Sequence, residues 1–274
     1  LATGADVVIT GRVADPSLFV GPMLHALDWD YDDYGQLGQA TACGHLLECA
    51  GQVTGGYFAD PGYKDVAGLA RLGFPCAEVG ADGSVTISKV AGSGGQVDAM
   101  TCTEQLLYEM HDPAAYITPD CVLDATGIDF NESGRDRVAL AGARAKPRTA
   151  SYKVSVGYFD GYLGEGQISY GGPGAVARAR LGGEIVRERL GLCGFSYDQL
   201  RVELIGLDSL HGPADDRPEP YEVRLRVAGR SGDRRTADAV GWEVDTLYTN
   251  GPQGGAGATR SLREIYAVQS VLLD

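Results

Sequence analysis

The chain has 274 residues, 44% of them hydrophobic, and a formal net charge of −14. That is enough material for one large domain or two ordinary ones, and no run approaches the roughly 18 apolar residues of a membrane span. The acidic balance repels nucleic acid backbones and anionic lipid surfaces, so neither nucleic acid nor membrane is an expected partner.

Short basic pairs such as Arg234 with Arg235 read as solvated surface. The six cysteines, Cys43, Cys49, Cys76, Cys102, Cys121 and Cys193, contain no Cys-x-x-Cys pair. Zinc ribbons and thioredoxin-type motifs are therefore not expected. The thiols read as reduced and the protein as cytoplasmic, with Cys121 and Cys193 as small core residues in apolar stretches. Glycine is the outlier at 40 residues, about twice its usual share of roughly 7%. Without a period these glycines exclude collagen. They cluster between regular elements, where positive φ or a close approach of backbone to ligand is useful. Because Leu1 opens a segment that reads as a helix end running into a strand, further residues are expected upstream.

In chain order, residues 5–10 (ADVVIT) form a continuous apolar run, the pattern of a strand buried in a parallel sheet. A polar loop leads to a helix with Pro16 in its first turn. A second helix is expected over Tyr34 to Cys49 and a short one over Lys64 to Leu72, stopped by Gly73. Ala77 to Val79 and Ser84 to Lys89 read as a hairpin around Ala81-Asp82-Gly83. Thr101 with Glu104 suggests a capping box for a helix through Met110. Cys121 to Phe130 and Arg137 to Ala143 read as strands around 131–134.

The polar stretch 144–150 is a plausible boundary. Beyond it, strands are expected over Tyr152 to Phe159, Tyr162 to Tyr170, Arg201 to Leu207, Glu222 to Ala228 and Arg263 to Leu273, with helices over Ala175 to Leu190 and Thr236 to Tyr248. The resulting expectation is a mixed α/β chain. Residues 1–150 would be the C-terminal part of an α/β domain with a parallel-sheet segment, and residues 151–274 an α+β ferredoxin-like half built on a split β-α-β unit.

Four places could carry chemistry. Thr10, Gly11 and Arg12 lie where the expected strand meets a helix, and Arg12 offers a planar fork for carboxylate or phosphate. Asp15 is there either a base or a cap for the following helix. On the second helix, His45 and Cys49 share a face and Glu48 lies beside them. A metal would lack a third ligand at recognisable spacing, so His45 with Glu48 reads better as an acid/base pair.

The run from Asn250 through Gly251, Gly254, Gly255 and Gly257 to Arg260 could bend its amides into an anion-binding nest. It is neither a P-loop nor a dinucleotide fingerprint, and a flexible loop is the simpler reading. Ser209 with His211, and the turn 171–174, are weaker candidates, since no nucleophile elbow surrounds the serine. Lys153 reads as a surface lysine.

Taken together, Gly4-Ala5-Asp6-Val7-Val8-Ile9-Thr10-Gly11-Arg12-Val13-Ala14-Asp15-Pro16-Ser17-Leu18, Gly44-His45-Leu46-Leu47-Glu48-Cys49, Gln52-Val53-Thr54-Gly55-Gly56-Tyr57-Phe58 and Tyr248-Thr249-Asn250-Gly251-Pro252 resemble the acyclic terpene utilisation family. The resemblance runs through nearly the whole chain. It implies a longer N-terminus with a further α/β portion, and a role in bacterial breakdown of citronellol- and geraniol-type acids as coenzyme A thioesters. It brings no catalytic residues with it.

Two functions follow as expectations. One is an enzyme of hydratase, lyase or isomerase type, without cofactor or metal, acting on an anionic small molecule such as a coenzyme A thioester. The other is a non-catalytic subunit binding an acyl ligand or a pathway partner, with a homo-oligomer as a further form of assembly.

Overall fold

The computed structural model describes residues 1–212 and 218–274. The chain divides into two compact units, Leu1–Tyr152 with Leu273–Asp274, and Lys153–Leu272.

The first unit contains α1 (Ser17–Leu27), α2 (Tyr34–Glu48), β1 (Pro75–Val79), β2 (Val85–Lys89), α3 (Ala99–Leu107), β3 (Tyr116–Ile117), β4 (Cys121–Asp124), β5 (Asp129–Gly134), β6 (Arg137–Ala141) and β7 (Arg144–Pro147). The strands form two antiparallel sheets in the orders β1-β2-β6-β5 and β3-β4-β7. Asp33 starts α2 by accepting hydrogen bonds from the amides of Gly35 and Gln36, satisfying two otherwise orphaned donors. From there α2 is buried on every side, with Leu37, Ala40, Ala42, Cys43, His45 and Leu46 all closed to solvent. A helix covered all round needs neighbours all round, and α1, α3, β4 and β7 supply them.

The parallel-sheet segment expected at residues 5–10 is not there. Those residues form no strand, and Val7, Val8 and Ile9 are exposed. An apolar run becomes a buried strand only if neighbouring strands accept its backbone groups, and the strands of this unit pair antiparallel within their own two sheets instead.

Four smaller differences have local causes. The helix expected over residues 64–72 shrinks to a single 3-10 turn, Leu69–Arg71, because Gly68 adopts a left-handed φ of 70° inside the span. The cap of α3 lies three residues earlier than Thr101: Asp98 accepts from the Thr101 amide while the Thr101 hydroxyl accepts from the Asp98 amide. The single strand expected from residue 121 to 130 is split between two sheets as β4 and β5, and the β5–β6 turn sits at 135–136, where Asp136 has φ 54°. Cys121 is buried as expected, but Cys193 is exposed because it falls on the C-cap of a helix rather than in a core.

Apart from the end residues Tyr152 and Leu273, the second unit contains β8 (Tyr152–Gly171), α4 (Ala175–Leu192), β9 (Gln199–Ile205), β10 (Glu222–Ser231), α5 (Arg234–Asp245), α6 (Leu247–Asn250) and β11 (Ala256–Leu273). Its sheet has the order β11-β8-β10-β9, and β10 runs antiparallel to both β8 and β9. The two strands expected on either side of Asp160-Gly161 are one continuous strand, β8. Alternate residues of β10, Val223, Leu225 and Val227, pack with Val176, Val186, Val240 and Val244 of the helices. Arg224 and Arg226 therefore point to the opposite face. No helix among the described residues is long and apolar enough to cross a membrane.

Candidate functional site

The last turn of α2 places His45 and Glu48 one helical step apart inside the first unit. Imidazole Nδ1 and carboxylate Oε1 are 2.7 Å apart, with the side chains only 1% and 7% exposed. The approach is close but not aligned as a hydrogen bond, and Glu48 Oε2 has no partner at all. On the other side of the ring, Nε2 lies 3.1 Å from the Leu106 carbonyl oxygen. A carbonyl only accepts, so Nε2 carries a proton. A neutral ring would then turn a bare Nδ1 lone pair toward Glu48. The 2.7 Å separation is favourable only if a proton is shared between them, either on His45 or on Glu48.

Packing brings further groups to this turn. A β-carbon on Gly44 would fall 2.5 Å from the Pro16 carbonyl oxygen, so only glycine lets the start of α1 lie against α2. The Ser17 hydroxyl donates to Asp120 at 2.5 Å and the Tyr31 hydroxyl donates to the same carboxylate, holding that junction. Pro16 occupies the N-cap position of α1, and no side chain caps the helix, so Asp15 does not serve as its cap and keeps an exposed carboxylate. The Tyr116 ring stacks at 5.1 Å, tilted, on His45. Gln105 donates from Nε2 to the His45 carbonyl, while its Oε1 is buried without a partner. Glu109 follows α3 in a left-handed conformation, φ 57°, a strained backbone state of the kind that concentrates at functional sites.

Carboxylates dominate the field that Cys49 and Tyr116 feel in this cluster. Burial raises the Cys49 thiol pKa, and Glu48, Glu109 and Asp15 push the same way against a hydrogen bond from Gln105. Burial and then Glu48, Asp15 and Glu109 push the Tyr116 hydroxyl up to about 12. Cys49 is thus held as a neutral thiol. Among the described residues no three His, Cys, Asp or Glu side chains converge as a metal centre requires.

Beside the cluster lies an open cleft of about 520 Å³. Phe58, Met100, Leu107 and Tyr108 make it largely apolar, and Lys64, bonded to Glu104 and set over the Phe58 ring, supplies its cation. Tyr108 belongs to both places: it lines the cleft, its ring meets Tyr57 at 5.8 Å, and the negative charge of Glu109 raises its hydroxyl pKa.

The sequence matches the description "Acyclic terpene utilisation family protein AtuA" over residues 1–274. The chain belongs to that family. No curated protein and no solved structure matches it.

Within this member of the acyclic terpene utilisation family, the residues expected to form a site fall into separate groups. Asp15, His45 and Glu48 gather at the junction of α1 and α2. Thr10, Gly11 and Arg12 lie in an exposed, non-strand segment preceding that junction. Asn250, Gly251, Gly254, Gly255, Gly257 and Arg260 belong to the second unit. There Gly251 donates its amide to the Leu247 carbonyl, Gly255 packs against Ile168 and Tyr170, and Arg260 stacks on the Trp242 ring at 3.5 Å. Gly257 and Arg260 are part of β11 rather than a loop.

Sequence reasoning missed Gln105, Glu109, Tyr108 and Tyr116. Only the polar Gln105 within the apolar face of α3 could have flagged any of them.

Proposed function

We propose that this chain carries the proton-transfer site of a cytoplasmic enzyme acting on branched acyclic acyl substrates, presented as carboxylates or coenzyme A thioesters. The chemistry is of hydratase, lyase or isomerase type, which a carboxylate and an imidazole can conduct without a redox cofactor. The observation that carries this reading is the buried His45–Glu48 pair, with Glu48 Oε2 left without a partner. With one proton shared on the His45 side, Oε2 is a base; a second proton on Oε2 makes Glu48 the acid that returns it. Asp15 at the edge of the cluster is the second proton-transfer group, serving water or a leaving hydroxyl.

The Phe58–Leu107–Tyr108 cleft suits the apolar chain. Exposed Arg12, with Thr10 and Gly11, suits the anionic handle. The 250–260 segment of the second unit, whose Gly254 and Gly257 have φ of 77° and 63°, is kept as a separate anion-binding candidate by itself. The test is turnover of citronellyl- and geranyl-type coenzyme A thioesters by Glu48→Gln. Loss of turnover with an unchanged melting curve is expected, and wild-type turnover would overturn the assignment. In Arg12→Ala the Michaelis constant should rise while the turnover number holds.

One observation favours a non-catalytic subunit as a second reading. Strands β8 and β11 expose Val156, Tyr158, Phe159, Tyr266 and Val268, an apolar surface that suits a pathway partner or a second copy. The strand order of this unit, read as a ferredoxin-like split β-α-β sandwich, also offers sheet edges for pairing. Stabilisation only by a co-purified protein, with no turnover, would favour that reading.

A further inference from the structure

We propose that the reacting centre held against Glu48 develops positive charge, and that the site accordingly binds an aliphatic ammonium group in preference to a carboxylate. The inference rests on the reading of Glu48 as the proton-transfer group and adds what kind of centre that group faces.

Two buried oxygens lack a donor. Glu48 Oε2 sits on a side chain 7% exposed, and Gln105 Oε1 on a residue 1% exposed. Their residues are joined through His45: Glu48 touches its ring and Gln105 its carbonyl. A buried acceptor without a partner costs more than a made bond returns, so both oxygens call for a ligand that brings N–H or C–H dipoles or positive charge. Asp15 and Glu109 add two carboxylates at the exposed side, and the charges acting most strongly on Cys49 and Tyr116 are these three acids.

Tyr116 on His45, and Tyr57 on Tyr108, contribute ring faces that attract cations. The nearest described cation of the adjoining cleft, Lys64, is already bound to Glu104 and Phe58. Gln52 Nε2, in the turn after α2, is an unpartnered neutral donor, and the proton shared between His45 and Glu48 offsets one of the three acids, so Asp15 and Glu109 leave the cluster a negative surplus. An anionic centre at this point would meet carboxylate repulsion, so the substrate's negative handle belongs outside the cluster, toward Arg12.

The experiment titrates the protein by calorimetry with three ten-carbon probes, decylamine as its ammonium, decanoate and decanol. The ammonium is expected to bind about tenfold tighter than the alcohol, and the carboxylate more weakly than the alcohol. Glu109→Gln should remove about threefold of the ammonium's advantage while leaving the alcohol's affinity unchanged. Equal or tighter binding of decanoate overturns the inference, as does a failure of all three probes to bind, or an ammonium advantage that Glu109→Gln leaves intact. The two proposals fail separately. Ammonium preference with full turnover in Glu48→Gln would remove the proton-transfer assignment, whereas lost turnover without ammonium preference would remove only this one.

Discussion

On the sheet of the second unit, Arg226 lies between Glu165 and Glu203 at 2.6 and 2.8 Å. Its neighbour Arg224 donates to Gln167, Ser169 and Thr259. Both guanidinium groups are half-buried and held on several sides. At the end of α2, Glu48 is buried more deeply, yet one of its oxygens faces no donor, and Gln105 beside it is in the same state. A polar group taken from water without replacement bonds costs about 1–3 kcal/mol. Arg224 and Arg226 avoid that cost on the sheet face, although Nε of Arg230 on the same strand lacks a partner, whereas at the end of α2 two acceptors on side chains in contact with His45 bear it together. The contrast is between a guanidinium network that ties strands together and an acidic turn with two unpaired acceptors.

The sharpest way to break the comparison is Glu48→Gln. Its volume is conserved, so folding should persist, while turnover should fall about 10²-fold or more, a barrier increase of about 2.7 kcal/mol. Loss of thermal stability without a specific loss of rate would make Glu48 a structural residue like Glu165.

Next in size is Gly44→Ala. The added methyl meets the Pro16 carbonyl, so α1 must shift, and a loss of about 1–3 kcal/mol in denaturant melts is expected. Asp15 moves with α1, so the rate should fall as well.

Arg226→Met tests the other region. It leaves Glu165 and Glu203 without their shared cation. Solvent reaches these groups, so the expected loss is about 1 kcal/mol, with turnover unchanged.

The same pair makes a pH prediction. Burial would raise the Glu165 pKa, but bonds from Arg226 and Gln167 outweigh it and lower the value below 4.5. A carboxylate depressed in the folded state stabilises fully above its unfolded pKa. Its contribution is lost as the pH falls through the lower folded value. Melting temperature against pH should therefore decline on the acid side in wild type, and less steeply in Arg226→Met.

The smallest effect concerns thiols. Burial and the neighbouring acids raise the Cys49 pKa, so iodoacetamide at neutral pH should label it more slowly than exposed Cys76 and Cys193, as read by peptide mass spectrometry. Rapid labelling of Cys49 would mean that the acidic surroundings are not what the thiol feels.

Much of α2 was legible in the sequence. Its span, and the one-turn spacing that sets His45 beside Glu48, follow from helix geometry, which a local pattern encodes. The hairpin of β1 and β2 was legible for the same reason, since the turn lies between its two partners in sequence. The family motifs were legible as residue strings, and the acidic balance as a simple sum of charges.

Contacts between distant segments were not. Residues 5–10 carry the composition of a buried strand, but only the tertiary structure decides whether a neighbouring strand exists to accept their backbone groups. Gly44 reads as one more glycine until Pro16 lies against it. The Leu106 carbonyl, Gln105 and Tyr116 reach His45 across roughly sixty to seventy residues of chain, and no periodicity carries such information. The sequence by itself determined which ionisable groups stand one helical turn apart. The packing of α1 and α3 against α2 decided that one of them would be buried with an oxygen unpaired, because desolvation and hydrogen-bond satisfaction depend on what surrounds an atom rather than on its neighbours along the chain.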